Sequence, residues 1–189
     1  MPRIPLIPVE QLTPEQRRVH DFVKACSKDN RVGAPYQLAL HCPEFLEKWQ
    51  QVGELLHYRT SLPPRLSELA ILVTARHWGC QYVWYAHEPS GLKGGLQAAV
   101  IEALKNGRRP AFRDADEEAI YDYCRELHEK HFVSAHDYQR VLDRLGVAGV
   151  VELTALIGHY AMIAMMLNAH DYGVPPGVTP PLPVNPGSQ

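Results

Sequence analysis

The distribution of proline is the feature of this sequence that most constrains its fold. Of the 16 prolines, four lie in residues 1–14 and six in residues 175–189, which leaves six for the 160 residues between. Proline interrupts helices because it lacks an amide donor and clashes with the preceding turn. The central 160 residues therefore have room for long helices, and residues 1–14 and 175–189 are expected to be extended arms.

Length and charge narrow the class of protein. A chain of 189 residues with 46% hydrophobic content is expected to form one domain with a real core. Its 19 basic and 21 acidic residues leave a formal charge of −2, which argues against nucleic acid or an anionic membrane as a partner. Its four cysteines are widely spaced with no C-x-x-C pair, which predicts reduced thiols and no metal site in a cytoplasmic protein. No uninterrupted apolar segment approaches the length of a membrane span, so none is expected.

Helical periodicity and helix-end signals recur along the chain and predict an all-α fold. Thr13 to Gln16 form a capping box, and Pro43, Pro64, Asp114 and Ser134 each suit a helix start. Expected helices run over about 14–28, 43–56, 64–78, 80–88, 96–104, 115–131, 135–145 and 148–170, with Pro89, Gly107 and Gly146 as stops and 108–113 as a loop. The segment 153–167 is expected to be a buried core helix, since His159 interrupts its apolar run.

A short sequence echo indicates a possible internal duplication. Glu68-Leu-Ala-Ile-Leu is matched by Glu152-Leu-Thr-Ala-Leu, and Ala86-His87 is matched by Ala169-His170. The spacing from Glu to His is 19 residues in the first copy and 18 in the second. Two related helical halves are one explanation, and chance similarity between Leu/Ala-rich helices is the other.

Reactive side chains are densest between Arg76 and Glu88. On one helix Cys80, Trp84 and His87 share a face, and the side chain of His87 leans back towards Cys80. Glu68, on the preceding helix, can act as an acid, a base or an orienter of His87 if it is buried. The alternatives are a first-turn acid at Glu68, an inert thiol at Cys80 and a helix-end cap at His87.

One stretch of sequence resembles the carboxymuconolactone decarboxylase / alkylhydroperoxidase D-like (AhpD-like) family. The resemblance rests on Leu62-Pro-Pro-Arg-Leu-Ser-Glu-Leu-Ala-Ile-Leu72 and on Gly79-Cys-Gln-Tyr-Val-Trp-Tyr-Ala-His87, with a lead-in at Gly33-Ala-Pro-Tyr36. It implies an all-α fold with duplicated helical halves, no cofactor, and a homo-oligomer, often a trimer or hexamer. It implies Glu68, Cys80 and His87 as catalytic residues, with substrate-binding candidates Tyr36, Arg65, Arg76, Tyr82 and Trp84.

The sequence departs from the hydroperoxidase pattern at one position that matters. That branch uses two cysteines in a C-x-x-C pair, and the second position here is Val83. A vicinal thiol pair is needed for a turnover disulfide, so a dithiol cycle is not expected. A decarboxylase needs no such pair, because it needs only a proton donor and a grip on a carboxylate, for which Arg65 and Arg76 are the candidates.

Three functions remain open at the level of the sequence. The first is a cofactor-free carboxy-lyase, or a related proton-transfer enzyme, acting on a small lactone or cyclic carboxylate from aromatic catabolism. The second is a single-cysteine peroxidase that uses Cys80 with an external thiol. The third is a catalytically silent helical binding protein.

The sequence also predicts contacts between subunits. The two arms are expected to wrap a neighbouring subunit, because they carry the apolar residues Leu6, Ile7, Leu182 and Val184. On the last helix, Met162, Met165 and Met166 suit a subunit contact.

Overall fold

A computed structural model describes residues 2–27 and 30–183 of the chain. Within these residues the fold is all-α, as the periodicity predicts, with eight α-helices, one 3-10 turn at Val9–Gln11 and no strand. The helices are α1 (Pro14–Cys26), α2 (Ala34–Ala39), α3 (Pro43–Tyr58), α4 (Pro64–His77), α5 (Gln81–Gly94), α6 (Ala98–Lys105), α7 (Ala115–Lys130) and α8 (Ala135–Ala169). Contacts along the backbone divide the chain into two compact units, Met1–Arg59 and Thr60–Gln189.

The first unit contains α1, α2 and α3. The predicted capping box is present, since the Gln16 amide donates to the Thr13 hydroxyl and the Thr13 amide donates to the Gln16 side chain. Leu46, Trp49 and Leu56 on α3 are buried, whereas Phe45, Val52 and Leu55 are exposed. The six-residue helix α2 was not predicted, because it is too short to show a helical period.

The second unit is built around α4. Every residue from Leu66 to Ala75 on α4 is buried, so this helix is covered on all sides by α5, α6, α7 and α8. At its end Gly79 adopts φ 60°, a conformation that favours glycine, and the chain reverses into α5. Helices α4 and α5 therefore form an antiparallel helical hairpin.

Helix α5 does not stop at Pro89, contrary to the sequence prediction, and instead continues to Gly94. Proline inside a helix normally costs about 3 kcal/mol, because it cannot donate to the carbonyl four residues earlier. Packing offsets that cost here. Gly91 is buried so closely that an added Cβ would lie 3.1 Å from Leu72 Cδ1 and 3.2 Å from Leu96 Cδ1.

The predicted stop at Gly146 is confirmed, because two helical segments within Ala135–Ala169 meet at this residue. Gly146 has φ 67° and ψ −179°, and helical structure resumes immediately after it. Before the break, Arg140 and Arg144 form ion pairs with α7 through Asp122 and Asp116. After it, an apolar face with Leu153, Leu156, Ile163 and Leu167 is buried.

Helix α8 is long and apolar enough to cross a membrane by length and composition alone. Half of its most apolar window is buried inside the chain, and that window has a mean hydropathy of 1.7. The core helix of a soluble protein has the same properties. The helix is therefore only a weak indication of a membrane span.

The predicted arms are partly held by their own chain. Leu182 is buried, its amide donates to Gln81 Oε1 at 2.8 Å and its carbonyl accepts from Gln81 Nε2 at 3.0 Å. Its expected need for cover by a neighbouring subunit is thus met within the second unit. Leu6 and Ile7 are half-buried, and Val184 lies outside the described residues.

The sequence echo does not produce a second Glu–His pair. Glu68 and His87 lie on two helices that reverse direction between them, whereas Glu152 lies within α8 and His170 is its C-cap. Eighteen residues of helix span about 27 Å, which is too far for contact. Glu152 instead accepts hydrogen bonds from the amide and hydroxyl of Ser61, at 2.8 and 2.6 Å.

Candidate active site

The α4–α5 hairpin brings Glu68 and His87 into direct contact. Glu68 lies nine residues before the end of α4 at His77, and His87 lies six residues after the start of α5 at Gln81. The reversal through Trp78, Gly79 and Cys80 therefore lays the segments that carry these two residues side by side. His87 Nδ1 lies 2.8 Å from Glu68 Oε2, a hydrogen-bond distance.

Both partners of this contact are shielded from water. The side chain of Glu68 is 7% exposed and that of His87 is 13% exposed. A carboxylate on a helix that is buried all round needs a partner, because an unpaired buried charge is strongly unfavourable. The histidine supplies it, and the carboxylate in turn fixes the orientation of the imidazole ring. The structure thus favours an orienting role over a first-turn acid at Glu68.

Tyr160 is a neighbour of the pair that the sequence reasoning missed. Its ring on α8 meets the His87 ring edge to face, with centroids 5.0 Å apart. The adjacent His159 is also buried, and its ring centroid lies 5.4 Å from that of Tyr160. The signal in the sequence was the polar His159-Tyr160 step inside an otherwise apolar helix, which was read only as an argument against a membrane span.

Cys80 is an inert thiol in this structure. It is fully buried at the N-terminal cap of α5. Burial raises the pKa of Cys80 to about 11, although backbone hydrogen bonds from Val83 and Tyr82 act in the opposite direction. At neutral pH the group is therefore a thiol and not the thiolate that attacks peroxides. Val83, at the position of the missing second cysteine, is buried as well.

The two arginine candidates are not at the Glu68–His87 pair. Arg65 forms ion pairs with Glu117 and, at 3.0 Å, with Asp114. The N–H donors of this guanidinium group are therefore engaged by two carboxylates of the chain itself, whereas the expected role was to bind a substrate carboxylate. Arg76 lies eight residues beyond Glu68 on α4, or about 12 Å along the helix axis. It donates from Nε to the Lys105 carbonyl at 3.1 Å.

The three aromatic candidates have different environments. Tyr36 belongs to the first unit, where its ring packs on Trp49 at 4.9 Å and burial raises its pKa to about 12. Trp84 is fully buried in the second unit, and its indole N–H has no acceptor among the described residues. Tyr82 is half-buried and packs edge to face on Tyr172, with centroids 6.1 Å apart. Trp84 is therefore part of the core.

Comparison with known proteins gives no relative: neither a protein-family model nor a curated protein matches the chain.

Proposed function

We propose that the chain is a cofactor-free carboxy-lyase, or a related proton-transfer enzyme, of the carboxymuconolactone decarboxylase / AhpD-like kind. The observation that carries the proposal is the buried hydrogen bond between Glu68 Oε2 and His87 Nδ1. A carboxylate bound to Nδ1 keeps a proton on that nitrogen and fixes the orientation of the imidazole ring. The other ring nitrogen, Nε2, is then the atom that exchanges a proton with the substrate.

The chemistry of this proposal needs only that proton. In a lactone carboxylate conjugated to a carbonyl group, the carbon–carbon bond to the carboxylate breaks and carbon dioxide leaves. The electron pair of that bond flows into the conjugated lactone. His87 Nε2 then donates its proton to the carbon at the end of the conjugated system, and the neutral imidazole recovers a proton from water.

The state of Cys80 supports this proposal over a single-cysteine peroxidase. A peroxidatic cysteine needs an accessible thiolate, and Cys80 is fully buried with its pKa raised to about 11. Its position at the start of α5 lies about 10 Å along the helix axis from His87, two turns away. We assign Cys80 to the packing of the hairpin, in place of the catalytic role that the resemblance implies.

The test is an assay of the purified protein with carboxymuconolactone and related lactone carboxylates, following lactone absorbance and carbon dioxide release. We expect His87→Ala to lower kcat at least about 100-fold, which is the usual worth of a positioned general acid. We expect Cys80→Ala to retain turnover. His136→Ala is the matched control, because His136 is exposed, with 77% of its side chain accessible.

Two results would contradict the lyase assignment. Absence of turnover with every lactone carboxylate would favour the silent binding protein. Reduction of an alkyl hydroperoxide that disappears in Cys80→Ala would favour the peroxidase.

We further propose that the chain forms a homo-oligomer, a trimer or a hexamer, through α8. Val147, Val151 and Met165 are 71%, 63% and 46% exposed, and the small Gly158 between them is exposed too. Their spacing puts them along one side of the helix, which leaves an apolar stripe uncovered within the chain. Light scattering should give a multiple of the 21.3 kDa chain mass, and a mass of one chain would refute this arrangement.

A further inference from the structure

A concave site lies at the end of α4 opposite to Glu68. It is a cavity of about 300 Å³ formed by the last turns of α4, the loop after α6 and one side of α7. Four arginines line it, Arg76, Arg108, Arg109 and Arg125, together with a single carboxylate, that of Glu129. A concave surface with this excess of guanidinium groups attracts anions.

Two of the four arginines are neutralised by neighbours. Arg125 makes a two-pronged contact with Glu129, through Nε at 2.9 Å and Nη2 at 2.6 Å. Arg109 pairs with Asp122 and, at 2.8 Å, with Glu118. These contacts fix the two side chains, and both guanidinium groups also lie over the Tyr121 ring, at 5.2 and 5.8 Å from its centroid. Together they form a rigid wall of the cavity.

The other two arginines carry uncompensated charge. Among residues 2–27 and 30–183, neither Arg76 nor Arg108 has an ion pair with a carboxylate. Arg76 is held at one end by the Lys105 carbonyl, which accepts from its Nε and leaves the charge unbalanced. A Cβ at Gly107 would lie 3.0 Å from Arg76 Nη2, so the glycine makes room for the guanidinium. One of the two charges is therefore already positioned at the cavity.

Two stacked histidines complete the lining. The rings of His77 and His128 lie 4.5 Å apart and nearly parallel, at 15°. The Thr74 hydroxyl donates its only hydrogen to the Ala70 carbonyl, so His128 Nε2 must donate to Thr74 Oγ1, 3.0 Å away. This leaves Nδ1 of neutral His128 as an acceptor, which becomes a further donor if the ring is protonated.

We propose that this cavity is a binding site for a small dianion that carries carboxylate or phosphate groups. Two uncompensated guanidinium groups match the charge of such a ligand, and each can bind two oxygens of one group. A volume of about 300 Å³ suits a small metabolite. The site is separate from the Glu68–His87 pair, so it holds or fails independently of the lyase assignment.

The experiment is calorimetric titration of the full chain with pyrophosphate and with succinate at low salt. Sodium chloride of equal ionic strength serves as the blank. We expect saturable binding of at least one of the two anions, with one ligand per chain. We expect Arg76→Gln and Arg108→Gln each to weaken it at least tenfold. Arg113→Gln is the matched control, because Arg113 is exposed in the same loop but does not line the cavity.

Each outcome decides something. Tighter binding of pyrophosphate assigns the site to phosphorylated ligands, and tighter binding of succinate assigns it to dicarboxylates. No saturable binding of either anion, or equal weakening by Arg113→Gln, overturns the proposal. Because the Arg108 side chain makes no hydrogen bond among the described residues, Arg108→Gln keeps the test valid if Arg76→Gln fails to fold.

Discussion

The two ends of α4 differ in how the charged side chains near the core are partnered. At one end Glu68 is buried and its partner His87 is only 13% exposed, so the charge is balanced internally. At the other end Arg76 and Arg108 border an open cavity, and neither forms an ion pair with a carboxylate in the described part of the chain. The first arrangement satisfies a buried carboxylate and fixes the orientation of the His87 ring. The second contributes little to folding and keeps its charge for a ligand.

The difference between the two ends is tested most directly by neutralising one charged residue at each end and comparing the free energies of unfolding. Glu68→Gln removes a buried charge-assisted hydrogen bond, and we expect the free energy of unfolding to fall by about 1.5–3 kcal/mol. Arg108→Gln should change it by less than about 0.5 kcal/mol. Urea unfolding followed by circular dichroism measures both.

A control separates burial from charge in that experiment. Glu88 also lies on α5 but pairs with Lys105 at 3.4 Å, with both side chains about a quarter exposed. Exposed ion pairs contribute about 0–1 kcal/mol, so Glu88→Gln should resemble Arg108→Gln. A loss for Glu68→Gln no larger than that for Glu88→Gln would mean that the Glu68–His87 contact contributes little to the fold.

At the cavity end, the free energy of unfolding should depend on pH through His128. The expected change is smaller than that for Glu68→Gln. Burial and, to a smaller extent, the nearby His77 lower the pKa of His128 to about 4, while Glu129 acts in the opposite direction. The unfolded chain, with a histidine pKa near 6.5, therefore binds more protons between about pH 6.5 and 4. Stability should be complete above pH 6.5 and fall as the pH drops through this window.

The size of this fall follows from the linkage between proton binding and folding. One unit of pKa difference corresponds to about 1.4 kcal/mol, and we expect a loss of about 1 kcal/mol or more. Thermal unfolding between pH 4 and 7 measures it, with His128→Gln as the variant that should flatten the curve. A wild-type curve with the same slope as that of His128→Gln would show that His128 does not titrate in this way.

The same comparison shows what the sequence could and could not predict. The Glu68–His87 contact was foreseeable, because two helices joined by a tight reversal bring together residues at similar distances from the turn. The arginine cavity was not, because Arg76, Arg108 and Arg125 belong to three separate segments of the chain. Sequence spacing predicts neighbours within a helix or across a hairpin, but not the packing of α7 on α4.

Helix boundaries were predicted where a local signal decides them. Thr13, Asp114 and Ser134 all accept hydrogen bonds from the first turns of their helices, as their residue types predict. Pro89 was misleading, because its local cost is offset by the packing of Gly91 against Leu72 and Leu96. That contact joins α4, α5 and the loop before α6, and it has no signature within α5 itself.

Gly146 has a consequence for how the second unit comes apart. The backbone break there separates a segment of α8 that is held to α7 by ion pairs from a segment that is buried in the core. No hydrogen-bond ladder runs uninterrupted through that residue, so opening of one segment does not force opening of the other. We therefore expect the amide hydrogens of residues 135–145 to exchange with solvent through local opening of that segment. Those of residues 147–169 should exchange only through global unfolding.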